Sequence, residues 1–337
     1  MTIREQVSLK TLTTFAVGGA ARYLIDCANE GELAQALAFA RERALPWRVI
    51  GQGSNMLPRD EGYDGALIRL TADAISEESH VVGKLLIADA GVAWDALVTH
   101  AASAGLWGIE NLAGIPGTVG AAPVQNIGAY GAELADTLLW VDAYDARSGE
   151  SFRLAKEECS FGYRASRFRQ EEPELIIVRV ALLLSAAPAA RLAYADLQRA
   201  QEAGVPLSTP EEIANAVRDI RARKFPDLTR EGTAGSFFKN PIVSPATYAA
   251  LTKRYPDAPG YETTGGVKLS LAWLLDRALG LKGFHCGAAR LFEAQPLVLV
   301  AARGASARDI EALAQTVESR AQTELGITLE REVRTLE

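Results

Sequence analysis

Three side chains stand where acid–base or anion chemistry is possible. Ser236 lies in GTAGSFFKNP (Gly232 to Pro241), between Gly235 and two phenylalanines. A serine on a tight, partly apolar turn can give a proton, touch a ligand or cap a helix. No G-x-S-x-G surrounds it, which argues against a hydrolase elbow. Arg164 follows Gly162 and Tyr163 in FGYRASRF (Phe161 to Phe168). A guanidinium fork there suits a carboxylate or a ring carbonyl; a surface arginine at a strand end is the competing reading. Glu332 sits in LEREVR (Leu329 to Arg334). On a strand it shares a face with Glu330, and such glutamates are mostly solvated unless the tail folds back into a site. The basic helix end RARK (Arg221 to Lys224) either complements the helix dipole or contacts a diphosphate, and the residues alone favour the dipole.

Two glycine-containing loops could hold an anion. IGQGSN (Ile50 to Asn55) offers Gly51, Gln52, Gly53, Ser54 and Asn55. NLAGIPGTVGAAPVQNIGAYGAE (Asn111 to Glu133) carries Gly114, Gly117, Gly120, Gly128 and Gly131, with almost no charge before Glu133. Glycines let backbone N–H groups approach a phosphate. An ordinary tight turn would explain the first loop. A loop as long as the second, inside a compact domain, is usually functional. No G-x-G-x-x-G joins an early strand to a helix, and no P-loop is present. His80, His100 and His285 form no triad pattern, and no metal site is expected.

Composition narrows the class. The chain has 337 residues, 48% hydrophobic and 23% charged, which supports two or three folded domains rather than disorder. A net charge of −7 argues against nucleic-acid and anionic-membrane partners. Cys27, Cys159 and Cys286 are far apart and without a C-x-x-C, so neither a disulfide framework nor a zinc site is expected. The N-terminal MTIREQVSLKTLTTF has no long apolar run and no segment reaches a membrane span, so no signal peptide is expected and a reducing cytoplasm fits.

The elements that must position these residues alternate strand and helix. Strands are predicted over Ala21–Ala28, Trp47–Gly51, Ala66–Leu70, Leu85–Gly91 and Leu175–Ser185, and helices over Gly31–Pro46 and Ala93–Leu106. LLWVDAYDA and ESFRLA flank Arg147–Ser148–Gly149 as a hairpin. Thr209-Pro210-Glu211-Glu212 is a helix start, with a cap, a proline at the first position and a capping-box glutamate. Pro226 to Gly266 reads as loop-rich, with a domain boundary near its start. Helices over Leu269–Leu279 and Ser306–Leu325 and a strand over Leu297–Ala302 complete the chain.

TTFAVGG, IGQGSN, GIENLAGIPGTVGAAPVQNIGAYG, FGYR, GSFFKNP and LE-x-EVR, in that order and over nearly the whole chain, closely resemble the UDP-N-acetylenolpyruvoylglucosamine reductase family of flavoenzymes. The resemblance implies an α+β fold: an FAD-binding module of the PCMH/vanillyl-alcohol-oxidase type, made of two α/β subdomains, plus a C-terminal α/β substrate domain. It implies a first FAD-binding subdomain over residues 1–70, to which the tail 327–337 returns, a second over 71–224 and a substrate-binding domain over 225–326. It also explains the missing dinucleotide fingerprint.

The implied reaction belongs to peptidoglycan precursor synthesis. NADPH reduces FAD, and flavin N5 then passes hydride to the vinyl C3 of UDP-N-acetylglucosamine enolpyruvate, giving UDP-N-acetylmuramate. By residue match, Ser236 is the proton donor to C2, and Arg164 and Glu332 stabilise the enolic intermediate. Gly51, Gln52, Gly53, Ser54, Asn55, Gly117, Gly120, Ala121, Ile127 and Gly128 fall on flavin-binding positions. Tyr130, Tyr194, Lys224, Asn240 and Gln295 fall on substrate positions, Tyr194 on the covering loop of the longer subtype. A cytoplasmic monomer acting on a small molecule is implied, with no nucleic acid or membrane. Two departures stand out: Arg331 replaces a proline common before the glutamate, and GFHCGAARLFEAQPL is looser than the family's glycine–alanine run around Gln295. A flavin oxidase of the same fold and a non-catalytic sugar-nucleotide binder are the competing functions.

Overall fold

The structure is a computed structural model that describes residues 1–170 and 174–337. The chain divides into two compact units. The first comprises Met1–Val7, Ala21–Gln52 and Asp64–Ala222; the second comprises Ser8–Ala20, Gly53–Tyr63 and Arg223–Glu337.

The first unit is built on two sheets. One runs in the order Ser151–Ala155, Leu138–Asp145, Leu175–Leu184, Gly83–Asp89, Ile75–His80, each neighbour antiparallel. Its central strand, LIIVRVALLL, is mostly buried, as the apolar run requires. Helix Trp94–Ser103 turns Trp94, Leu97, Val98 and Ala101 into the same core as Ile213, Ala214, Val217 and Ile220 of helix Pro210–Lys224. That second helix starts as its sequence says: Thr209 Oγ1 accepts the Glu212 N–H at 3.2 Å, and Glu212 Oε2 accepts the Thr209 N–H at 3.1 Å. The other sheet has the order Thr2–Ser8, Ala20–Cys27, Tyr63–Leu70, Trp47–Val49. Helix Glu30–Glu42 covers it with Leu33, Ala36, Leu37 and Ala40. It stops short of Pro46 because Ala44 turns left-handed (φ 50°) and the Leu45 N–H reaches back to Ala40 O at 2.9 Å.

The second unit gathers Phe15, Val17 and Leu57 with Phe237, Phe238, Leu271, Leu275, Ile310, Leu313 and Val317 into one core. Helix Ala307–Leu325 is capped by Ser306, which exchanges hydrogen bonds with Asp309. Asp60 takes two more first-turn donors, the N–H groups of Ala307 (2.8 Å) and Arg308 (3.1 Å). The tail strand Arg334–Leu336 pairs in parallel with Met56–Pro58. Two small antiparallel sheets complete the unit: Ile242–Val243, Gly266–Leu269 and Gly260–Thr263, then His285–Cys286, Ala289–Leu291 and Leu299–Ala301.

Five elements differ from the sequence reading. Helix Pro245–Arg254 occupies the middle of the supposedly loop-rich segment; Ser244 accepts the Thr247 N–H and Pro245 opens the first turn, so the proline starts a helix. Helix Ala195–Glu202 and strands Thr2–Ser8 and Ile75–His80 lie in polar segments without a clear apolar period. Leu269–Leu279 is not one α-helix. Leu269 ends a strand, Leu271–Trp273 is helical, and Leu274–Ala278 widens to a π turn closed by the Leu279 N–H on Leu274 O at 2.9 Å. The three thiols are free; burial raises those of Cys27 to about 11 and Cys159 to about 12, so both stay protonated and inert.

One glycine governs how the second unit closes. Gly232 pairs with Ala301 (N–O 3.0 and 2.8 Å), and a Cβ there would lie 1.8 Å from Phe15 O. Backbone meets backbone, so no side chain can give way. Gly232→Ala is expected to lower unfolding free energy by at least about 3 kcal/mol, read from the denaturant midpoint. A change below about 1 kcal/mol would show that this approach is not required.

Candidate active site

In the first unit the site is built around the glycine stretch. Gly117 to Gly120 lies against Ala90–Trp94: Trp94 N–H donates to Gly117 O (3.0 Å), Val119 N–H to Val92 O (2.8 Å) and Gly120 N–H to Ala90 O (3.0 Å). A Cβ at Gly120 would sit 2.6 Å from that of Ala90, so packing alone demands glycine there. Gly114 is held at both ends of its residue. Its N–H donates to Asp95 Oδ1 at 2.6 Å, and its carbonyl accepts Arg221 Nε at 2.9 Å. Arg218, one turn before Arg221, forks onto Asp95 (Nε–Oδ2 3.0 Å, Nη2–Oδ1 3.1 Å).

The stretch ends in a tight hairpin. Gly128–Ala129 pairs with Ala132–Glu133, and the two turn residues, Tyr130 (φ 49°) and Gly131 (φ 81°), are both left-handed. A tyrosine in that conformation is held by its neighbours. Asn111 Nδ2 donates to Tyr130 O and to Arg191 O, each at 2.8 Å. The Tyr130 ring is buried and meets the half-exposed Tyr194 ring edge-on at 5.3 Å. Its phenol is hydrogen-bonded with Arg221, and burial pushes its pKa up to about 12. Burial pulls the Arg221 guanidinium below its usual value, opposed by Tyr130 and Asp95. An arginine starts high enough to stay charged.

Arg164 occupies a two-residue turn closed by Gly162 and Ala165, whose N–H groups reach each other's carbonyl oxygens at 3.1 and 3.2 Å. Its φ of 53° is one that glycine usually takes at this place in a turn. Nη2 donates to Gly128 O at 2.7 Å. A Cβ on Gly128 would lie 3.1 Å from Arg164 Nη1, so the glycine clears room for the guanidinium.

The loop after Ile50 docks on the same stretch. Gln52 Oε1 accepts the Gly117 N–H at 3.0 Å, and a Cβ on Gly51 would lie 2.7 Å from Thr118 Oγ1. Among the described residues, the N–H groups of Gly51, Gln52 and Thr118 donate to no protein acceptor. Unspent backbone donors on two apposed glycine-rich turns fit the anionic diphosphate of the implied FAD. Ala121 is exposed, Ile127 buried and Gly128 half-buried.

In the second unit, long-range pairing builds the site. Phe237 N–H donates to Leu297 O at 2.9 Å, which sets Ser236 opposite Val298. Glu332 N–H donates to Phe237 O at 2.8 Å and Lys239 N–H to Glu330 O at 2.9 Å. Ser236 is thus one residue from the peptide that holds Glu332. The Ser236 hydroxyl is half-buried and bonded to no protein group among the described residues. Glu332 is 8% exposed, and its carbonyl accepts Asn55 Nδ2 at 3.3 Å. Gln295 lies in the turn that precedes Val298, whose N–H donates to Gln295 O at 2.9 Å. Asn240 spends Oδ1 on the Leu271 N–H at 3.0 Å, at the start of the helical turn Leu271–Trp273. Gly53 is left-handed (φ 60°) and packed on Leu12 and Thr13, while Ser54 and Asn55 continue the loop.

Tyr130, Tyr194 and Arg164 therefore belong to the first unit, and Ser236, Asn240, Gln295, Glu332 and Lys224 to the second. Lys224 is half-buried at the end of its helix. Assigning Arg221 to the helix dipole missed its place: it holds Gly114 and Tyr130. The signal was available, since Ala214, Val217, Arg218 and Arg221 share one stripe at i, i+3, i+4 and i+7. No group of acidic, histidine or cysteine side chains that could hold a metal occurs among the described residues. Among the described residues no helix is long and apolar enough to cross a membrane.

Comparison with known proteins bears on both halves of the chain. An FAD binding domain model matches residues 21–155, and the model of the UDP-N-acetylenolpyruvoylglucosamine reductase C-terminal domain matches 227–336. The enzyme of that name from Pseudomonas aeruginosa is 40% identical over 334 residues, 98% of each chain. That from Shewanella baltica is 41% identical over 330 residues, 97% of this chain and 95% of the relative. The crystal structure of the Thermus caldophilus enzyme superimposes with a TM-score of 0.70 at 31% identity, covering 100% of both chains.

The Tyr130 phenol yields a pH prediction. Its folded pKa, about 12, lies above the unfolded value, so its contribution is intact below about pH 10 and is lost as pH rises toward 12. Tyr130→Phe is expected to flatten the alkaline fall in Tm over that interval. Parallel falls in the two proteins would show that the buried phenol does not set it.

Proposed function

The chain belongs to the UDP-N-acetylenolpyruvoylglucosamine reductase family, and from that premise we propose that it reduces UDP-N-acetylglucosamine enolpyruvate to UDP-N-acetylmuramate, with FAD bound and NADPH as reductant. The observation that carries this reading is the pairing of GSFFKN with the tail, in which the buried Glu332 is bonded to the residue next to Ser236.

Bound FAD would supply the hydride chemistry that links oxidation of NADPH to reduction of the vinyl carbon. The unspent amides of Gly51, Gln52 and Thr118 would hold its diphosphate, and the glycine stretch would let backbone approach its rings. As the vinyl C3 is reduced, charge develops at C2 and in the adjacent carboxylate. Ser236 gives its proton to C2, completing the addition of two hydrogens across the double bond. A serine is a weak acid, so this role needs a strongly basic carbanion and close placement. Arg164 stabilises the charge on the enolic carboxylate from a turn that pre-sets its guanidinium, and Glu332 does so as a neutral acid that donates a hydrogen bond. Tyr194, half-exposed and resting on Tyr130, covers the UDP moiety, and Lys224 meets its diphosphate. Asn240 offers its remaining amide group and Gln295 its side chain to the sugar or carboxylate. The site assignment and the three-part division at residues 70 and 224 belong to this proposal, as does a cytoplasmic monomer.

An anaerobic titration watched by absorbance tests the reading. NADPH should bleach the flavin, and the enolpyruvyl substrate should restore the oxidised band at once. Recovery only on admitting oxygen would indicate an oxidase, and no flavin band even after adding FAD a binding protein.

Ser236→Ala is expected to leave flavin reduction by NADPH unchanged and to slow reoxidation by substrate about 10²- to 10⁴-fold. Equal slowing of both half-reactions would show that Ser236 shapes the site and does not donate the proton.

A further inference from the structure

We infer that Arg331 is a positioning residue, whose double ion pair to helix Ala307–Leu325 fixes the backbone that presents Glu332. The inference rests on the role assigned to Glu332 above. Glu311 and Glu318 lie seven residues apart, two turns along one face of that helix. The Arg331 fork spans both. Nε and Nη2 reach Glu318 at 2.6 and 3.0 Å, and Nη1 and Nη2 reach Glu311 at 2.7 and 2.9 Å. The three side chains are only 27%, 35% and 28% exposed, and the guanidinium also lies 5.7 Å from the Phe237 ring centre. Such a shielded bidentate network is stiffer than an isolated surface pair. Its two carboxylates hold the Arg331 pKa above the usual value, Glu318 first, while Arg331 holds Glu311 below its own.

The geometry carries this to Glu332. Phe238 and Arg331 face each other as an antiparallel pair, with hydrogen bonds on either side from Lys239 N–H to Glu330 O and from Glu332 N–H to Phe237 O. Glu332 follows Arg331 directly in a bend, where its N–H and that of Val333 both reach Phe237 O, at 2.8 and 3.4 Å, so anchoring Arg331 on the helix fixes the peptide that leads into Glu332. Phe237, whose carbonyl takes both donors, is the chain neighbour of Ser236. A slide of the segment along its partner would alter the Ser236–Glu332 spacing, and the ion pair opposes that slide. The Arg331 N–H itself donates to no protein acceptor among the described residues. Proline at 331 would therefore cost no ladder bond, and its ring would stiffen the same backbone by a different means.

The test uses the whole flavin-loaded protein and four variants: Arg331→Met, Arg331→Pro, Glu332→Ala and the pair Glu311→Gln with Glu318→Gln. Both half-reactions are followed anaerobically by stopped flow. Arg331→Met and the double glutamine variant should each slow the maximal rate of reoxidation by substrate about tenfold, with flavin reduction by NADPH within about twofold of the parent. Arg331→Pro should stay within about threefold of the parent in both steps. Should Arg331→Met fail to fold, the double variant, which keeps the arginine, carries the test. Parental reoxidation in Arg331→Met and the double variant, equal slowing of both steps, or an Arg331→Pro as slow as Arg331→Met would each overturn the inference. Glu332→Ala separates its failure from that of the underlying reading: parental reoxidation there removes the role of Glu332 and this inference with it.

Discussion

The first unit's site depends on the peptide groups of Gly114. A stretch of about twenty residues with little regular structure must still satisfy its backbone donors and acceptors when it is buried. Asp95 takes the Gly114 N–H and Arg221 its carbonyl, from two different helices. Because Arg218 neutralises Asp95 and Tyr130 receives Arg221, the charges inserted to hold the loop are themselves paired. Loop, helix pair and tyrosine hairpin thus form one network. The strain at Tyr130 and Arg164, both left-handed without being glycine, is tolerated because that network over-determines them.

The second unit solves a different problem. Ser236 and Glu332 are ninety-six residues apart in the chain, and no local element joins them. Their proximity comes from two short pairings, GSFFKN with the tail and Phe237 with Leu297, laid over a core of phenylalanines and leucines. These pairings are too short to hold register unaided. Asp60 on the start of helix Ala307–Leu325, Asn240 on the Leu271 turn and Arg331 on the face of helix Ala307–Leu325 tie the same segments down from outside.

Local chemistry was the part of the fold legible in the sequence. The Thr209 box, the Arg147–Gly149 hairpin and the buried strand from Leu175 each follow from a few neighbouring residues, and each stands where its residues put it. The helix at Pro245 was hidden because prolines were counted as breakers, though Ser-Pro is also a helix start. The π turn at Leu274 could not be read at all, since its apolar spacing is that of an α-helix. For the site, motifs could name Ser236, Arg164 and Glu332 but not their surroundings. Arg221 was set aside because a basic residue near a helix end has a sufficient electrostatic explanation, and only its place on the inward stripe says otherwise. The hold on Glu332 through Arg331 depends on a partner helix and has no local signature.

The composition of the second unit bears on how the protein is made. Its core needs Phe15, Val17 and Leu57, yet the segment that supplies the rest of that core begins only at Arg223, about 160 residues after Tyr63. During synthesis these apolar segments leave the ribosome long before their partners exist. The intervening chain, which carries most of the first unit, can fold in the meantime, while the early segments wait exposed. Such distant pairing is slow and prone to aggregation. The second unit therefore cannot form step by step with translation, and its early apolar segments remain without their core partners until the chain's last third emerges.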